Sequence, residues 1–158
     1  MERVVVTGLG IISPLGCSIA DFWQGLCAGR SGVVALTDES FAGLRTRIGA
    51  LVTGFDASAH FDRKEAHRLS RSSQLAIAAT AQALADAQLT AEQTSFADVA
   101  VIIGSTIGGF AASDPHFKSF YQRGHTSPLT IPVSMNVGPA ANVSIRFGFQ
   151  GPLLNVDA

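Results

Sequence analysis

Few residues in this sequence are spaced to do chemistry, and most of those have an ordinary structural explanation. Cys17 lies just ahead of Ser18-Ile19-Ala20-Asp21, which reads as a helix start. A helix N-terminus can depress a thiol pKa and make a nucleophile. No histidine or basic residue is near Cys17 in sequence, so a small apolar side chain in a packed loop is the preferred reading. Cys27 falls next to Leu26 on the same helix and reads as core. His60, His67, His116 and His125 show no pair at the three- or four-residue spacing of a helical metal site, and none is singled out as catalytic. Gly8-Leu9-Gly10 follows Val4-Val5-Val6 and imitates the start of a dinucleotide-binding turn. Ser13 stands at its third glycine, however, and Pro14 follows, whereas that fingerprint opens a helix inside the glycine turn.

Two stretches are better suited to binding. Arg63, Lys64, His67, Arg68 and Arg71 form a basic cluster opposed only by Glu65. On a continuous helix Lys64, His67, Arg68 and Arg71 share one side. Most such clusters are solvated faces. In a chain only 15% charged, a concentrated positive patch is equally a dock for an anionic partner. Gly104-Ser105-Thr106-Ile107-Gly108-Gly109 leaves an apolar run, and glycine at the carboxyl end of a buried strand lets a backbone or a ligand approach closely. A tight packing turn is the other reading.

The elements that must position these residues follow from periodicity. Val4-Val5-Val6 predicts an opening strand. Ser18 with Asp21 three residues on, then Ile19, Phe22, Trp23 and Leu26 at helical spacing and Gly29 as a stop, predict a helix to about Ala28. Residues 30–62 lack sustained period, with Arg47 to Val52 the one strand expected there. Arg63 to Gln88 holds neither Gly nor Pro and is rich in Ala, which predicts a long buried helix. Thr90-Ala91-Glu92-Gln93 reads as a capping box. Val99 to Ile103 predicts a strand covered on both faces, and residues 113–122 a helix. Pro139 is placed to start a helix through Arg146, and Leu153 to Asp157 predicts a last strand. Strands alternating with helices point to an α/β layered fold with mainly parallel strands.

Composition bounds the rest. The 158 residues are 47% hydrophobic with a formal net charge of −1, which excludes a disordered chain and a wholesale nucleic-acid binder. One domain, or part of one, is expected. Two cysteines without a CxxC pair fit a reducing compartment, and so a cytoplasmic location. The uncharged run Val4 to Ala20 is interrupted by Gly8, Gly10, Pro14 and Gly16 and makes a poor signal peptide. Gly124 to Ile145 is uncharged too, but Pro128, Pro132, Pro139, Asn136 and Asn142 argue for packed irregular structure over a membrane span. The residues point to no cofactor and no metal.

An ordered set of motifs carries a family resemblance over essentially the whole chain. It comprises Arg3-Val4-Val5-Val6-Thr7-Gly8-Leu9-Gly10, Pro14-Leu15-Gly16, Phe22-Trp23, Ala28-Gly29-Arg30-Ser31-Gly32, Phe55-Asp56, Asp62-Arg63-Lys64-Glu65-Ala66, Gly104 to Gly109, Asn142 to Gly148 and Gly151-Pro152. Together they resemble the beta-ketoacyl-[acyl-carrier-protein] synthases of the type II condensing group. The resemblance implies a thiolase-type fold of two similar halves, a homodimer, and decarboxylative Claisen condensation of an acyl thioester with malonyl on acyl carrier protein, as in fatty acid chain elongation. It also implies a nucleophilic cysteine at a helix N-terminus and two enolate-stabilising histidines.

On that resemblance the nucleophile is expected just past Leu153-Leu154-Asn155-Val156-Asp157-Ala158, so this stretch corresponds to the N-terminal half of such a synthase, residues 1–158. None of the four histidines matches a family catalytic position. Ile107, with Gly108 beside it, matches part of the acyl-chain pocket, and Lys64, His67 and Arg68 match positions that contact the acidic carrier protein. Two departures stand out. His67 replaces what is commonly a permanent cation, and Leu129-Thr130 stands where related synthases often have aromatics. A half-core is expected to expose apolar faces and to aggregate or find a companion. The rival readings are a non-catalytic partner resembling the chain-length factors, a polyketide ketosynthase segment, and a carrier-protein-binding module.

Overall fold

A computed structural model describes residues 3–90 and 95–157, so Ala91, Glu92 and Gln93 of the expected capping box lie outside the described residues. The first helix, α1 (Ile19–Cys27), forms as its sequence predicts: the Ser18 oxygen accepts the Asp21 N–H at 3.1 Å, and Gly29 ends the helix at φ +65°. A two-residue strand β1 (Val34–Ala35) pairs antiparallel with β2 (Ile48–Gly49). The strand expected over residues 47–52 is thus shorter, and its partner carried no periodic signal.

The helix expected from Arg63 to Gln88 is two helices, α2 (Arg63–Ala66) and α3 (Arg71–Asp86). Ser70 breaks it. Its extended backbone and its side chain, which accepts the Ser73 N–H at 3.2 Å, start α3 anew. Serine competes in this way because its hydroxyl offers backbone N–H groups an acceptor where a continuous helix would supply a carbonyl. Beyond α3 follow β3 (Val101–Gly104), α4 (Ser113–Arg123), α5 (Thr130–Ser134), α6 (Gly138–Phe147) and β4 (Leu153–Val156). α4, α6 with its early proline, and β4 agree with the sequence; α5 was not foreseen because five residues are too few to show a period.

β3 and β4 pair in parallel, Val101 opposite Leu153 through Gly104 opposite Val156, and α4, α5 and α6 make the crossover. α6 lies on both the sheet and α3. Phe55, Phe61, Ile77, Ala78, Val101, Ala140, Val143 and Phe149 form the core between them. Each large side chain buried there contributes about 1.5–3 kcal/mol. β3 is covered on one face only. Val101 is buried, but Ile102 is 64% exposed, and Leu154 and Val156 on β4 are exposed as well. The expectation of a strand covered on both faces is corrected accordingly: no described element packs on that side.

The opening strand is also corrected. Val4, Val5 and Val6 are exposed and form no ladder. The chain that follows them instead runs antiparallel along α3. Gly8 faces the backbone of Ala83 and Ala87, and Gly10 faces that of Ala79 and Ala83. Between and beyond them, the Leu9 N–H donates to the Asp86 carboxylate and the Ile11 N–H to the Gln82 amide oxygen, each at 2.9 Å. The fit is a matching of periods. Two residues of extended chain advance about 6.6 Å, close to the roughly 6 Å of four residues along a helix. Successive glycines therefore meet successive turns of α3. That contact is the role of this glycine pair, in place of a nucleotide turn.

A Cβ at Gly10 would lie 1.9 Å from the Ala79 carbonyl oxygen, whereas one at Gly43 would meet nothing within 4 Å. Gly10→Ala is expected to cost more than about 2 kcal/mol and Gly43→Ala less than about 0.5 kcal/mol, read from urea unfolding midpoints; equal midpoints would refute the tight-contact account. A second expectation concerns acid. Hydrogen bonds from the Ser40 hydroxyl and N–H hold Asp38 below the usual carboxylate value, and those from the Ser58 N–H and hydroxyl do the same for Asp56. Their stabilisation is complete above the unfolded aspartate value of about 3.9 and is lost as pH falls through the lower folded values. Urea midpoints measured at neutral and at acid pH should therefore differ less in an Asp38→Asn, Asp56→Asn double variant than in the parent.

Candidate functional site

The basic segment is shaped by the turn between α2 and α3. Asp62 caps α2, its carboxylate accepting the Glu65 N–H at 2.7 Å, and the chain turns through His67 to Ser70 before α3 begins. Ala66 and Leu69 pack onto the core, which leaves Lys64, His67 and Arg68 exposed. Glu65 faces away, taking a 2.8 Å hydrogen bond from Arg146 on α6. Both partners are partly exposed, so this pair adds little stability by itself. It does remove the one carboxylate within the basic run from the patch.

Arg71 does not belong with the other cations. The break at Ser70 turns it back toward residues 52–55, where its guanidinium donates to the Val52 and Phe55 carbonyls at 3.2 and 3.3 Å and lies 4.7 Å from the Phe55 ring centroid. The expectation that Arg71 shares one helical side with Lys64, His67 and Arg68 is corrected by this geometry, since α2 and α3 are separate helices.

Lys64, His67 and Arg68 border a cleft of about 500 Å³. Its opposite wall is Ala112, Pro115 and His116 at the start of α4, and its floor holds Leu69, Leu129 and Val133. Among the described residues no carboxylate lines it. The half-buried His116, whose Nδ1 lies 3.4 Å from the Thr126 hydroxyl, joins the site although nothing in its sequence neighbourhood marked it. Only the packing of α4 beside the α2–α3 turn brings it there.

The glycine turn after β3 lies next to this cleft. Gly108 adopts φ +49°, the left-handed region that suits glycine. Its N–H is held by the Ser105 hydroxyl and its carbonyl accepts from the Ser72 hydroxyl, both at 2.8 Å. A Cβ at Gly109 would fall 2.0 Å from the Val133 carbonyl oxygen. The turn is thus a close backbone contact with α5, and it also borders a niche of about 200 Å³ lined by Gly108, Gly109, Ser70, Arg71 and Ser72. Leu69 and Ala112 line both this niche and the larger cleft. Ile107 lines neither, and its side chain is 57% exposed.

The other candidates have structural environments. Cys17 packs against the core, and its carbonyl accepts from Gln82 at 2.8 Å. Cys27 is exposed, which corrects its reading as core; the one buried residue of α1 is Gly25. His60 stacks on Phe55 with centroids 5.1 Å apart, and the His125 ring contacts the Arg123 carbonyl. Among the described residues no group of three or more His, Cys, Asp or Glu side chains is placed to hold a metal ion, and no helix is long and apolar enough to cross a membrane.

Comparisons with known proteins agree with this architecture. The model of the beta-ketoacyl synthase, N-terminal domain, matches residues 1–158. The 3-oxoacyl-[acyl-carrier-protein] synthase 2 of Synechocystis is 36% identical over 153 residues, covering 96% of this chain and 37% of that protein. The chain therefore spans little more than a third of such relatives. A beta-ketoacyl synthase from Burkholderia phymatum superposes with TM-score 0.80 at 28% identity, over 99% of this chain and 39% of its own. The ishigamide ketosynthase/chain length factor does so with TM-score 0.78 at 25% identity, over 98% and 44%. These neighbours have the thiolase-like fold that the motifs led us to expect. With the match running from the Val4-Val5-Val6 segment through β4, the chain belongs to the beta-ketoacyl synthase N-terminal domain family.

Proposed function

We propose that this chain is the N-terminal part of a 3-oxoacyl-[acyl-carrier-protein] synthase acting in fatty acid chain elongation, and that the cleft bordered by Lys64, His67 and Arg68 is where it receives acyl carrier protein. The observation that carries the docking assignment is the charge of that cleft: three basic side chains lie on one rim and, among the described residues, no carboxylate lines it. Such a rim steers and orients an acidic partner. The curated relatives are named for a reaction on acyl carrier protein, which supports the same partner here.

In this reading the acyl group passes from the carrier thioester to a cysteine beyond residue 158. Malonyl thioester then loses carbon dioxide, and the resulting carbanion attacks the acyl carbonyl and releases the cysteine thiolate. Ile107 and Gly108 stand against the acyl chain, Ile107 through its exposed apolar side chain and Gly108 by holding the turn. The intact enzyme is a homodimer of the cytoplasm, and neither metal nor cofactor takes part. A second reading, a non-catalytic partner like a chain-length factor, is favoured by the likeness to the ketosynthase/chain length factor structure. The residue following Ala158 in the gene separates the two, because only the synthase needs cysteine there.

Two outcomes are expected. Lys64→Glu with Arg68→Glu should weaken binding of acyl carrier protein at least tenfold in a calorimetric titration while the circular dichroism spectrum is retained; unchanged affinity would overturn docking at this cleft. Residues 1–158 mixed with acyl and malonyl carrier proteins should give no ketoacyl product, and turnover proportional to the amount of chain would contradict a nucleophile placed outside it.

A further inference from the structure

The pair between Arg146 and Glu65 joins segments 81 residues apart and lies beside the docking cleft. Glu65 does not line that cleft. It lines an adjoining groove of about 510 Å³ together with Arg68, Ile77, Asn142 and Arg146, and Arg68 borders both. We infer that Arg146 is a positioning residue for carrier docking: by pairing with Glu65 it keeps that carboxylate off Arg68 and leaves the Arg68 guanidinium to an acidic partner. The inference rests on the docking assignment above and adds a residue, from another helix, that sets the strength of docking.

Local geometry gives Glu65 a second possible partner. The Arg68 N–H donates to the Glu65 carbonyl at 2.9 Å, so the two residues stand one tight turn apart, where side chains at i and i+3 eclipse. Opposite charges at that spacing attract. Arg146 takes the carboxylate instead, at 2.8 Å, and among the described residues the Arg68 guanidinium has no ion-pair partner. The position of Arg146 is set by α6: Val143, about one turn before it, is buried in the core, and the last turn of a helix favours a cation. Asp62, the acidic residue that precedes the basic run, caps α2 by accepting the Glu65 N–H. Glu65 and Arg146 are 33% and 45% exposed, so the pair adds little to folding stability. Its effect is on where the negative charge lies, because a carboxylate resting on Arg68 competes directly with an incoming one.

The test is a calorimetric titration of the chain with acyl carrier protein at constant, low ionic strength, where exposed pairs are least screened. Arg146→Gln should weaken binding about fivefold, the upper range for one exposed charge pair. Arg146→Gln with Glu65→Gln should restore affinity to within about twofold of the parent, and so should Arg146→Lys, which keeps a cation for Glu65. Full affinity in Arg146→Gln overturns the inference. So does a loss that persists once Glu65 is neutral, because Arg146 would then act by direct contact or through the fold. Either result leaves the docking assignment standing, whereas absence of carrier binding by the parent chain overturns both.

Discussion

Close backbone approach to α3 is the constraint on which the other features depend. An alanine-rich helix presents a surface low enough for the glycine pair at residues 8 and 10 to lie on its backbone along one side. On another side α6 packs against it, with the Asn142 amide reaching Ser73 at 3.2 Å. Small residues cost little side-chain entropy when they are buried, and the close contacts recover dispersion energy that bulkier neighbours would hold apart. The polar groups exposed by this approach are paired. The exposed Leu9 N–H finds an acceptor on Asp86, and the half-buried Ile11 N–H, which needs one, finds it on Gln82.

From α3 the constraint passes to the site. The same serine cap that begins α3 ends the basic turn, and Ser72 in the first turn of α3 holds the Gly108 carbonyl. The cationic cleft and the glycine turn are therefore anchored to one rigid element and share Leu69 and Ala112 as walls. A binding rim on a short loop between two helix caps keeps its backbone fixed while its long cationic side chains stay in solvent. That division is the one on which the proposed docking of an acidic partner relies.

The exposed face of the β3–β4 sheet has the opposite character. Ile102, Leu154 and Val156 lie open, and so do Val4, Val5 and Val6. Scattered apolar exposure is ordinary, but a strand face of β-branched and leucine side chains is built for burial. This chain is little more than a third of the length of its curated relatives, so these residues are read against a larger protein.

Local signals were legible wherever a few neighbouring residues decide the outcome: the Ser18 cap, the Gly29 stop, the Pro139 helix and the last strand. Spacing also brought Lys64, His67 and Arg68 to notice as one basic group, and the ordered motifs identified the family. The break at Ser70 was not legible, because a cap competes with a continuous helix by only about 1 kcal/mol and packing of Leu69 and Arg71 tips the balance. Arg71 consequently moved to the Phe55 ring, and His116, 48 residues beyond Arg68 and unmarked by any local spacing, was added by the placement of α4 beside the cleft. The sequence by itself determined which segments coil or extend and which family they compose, because caps, periods and motifs act between near neighbours. Tertiary structure alone decided which cations share a cleft and which apolar faces remain open, because those depend on how distant segments pack.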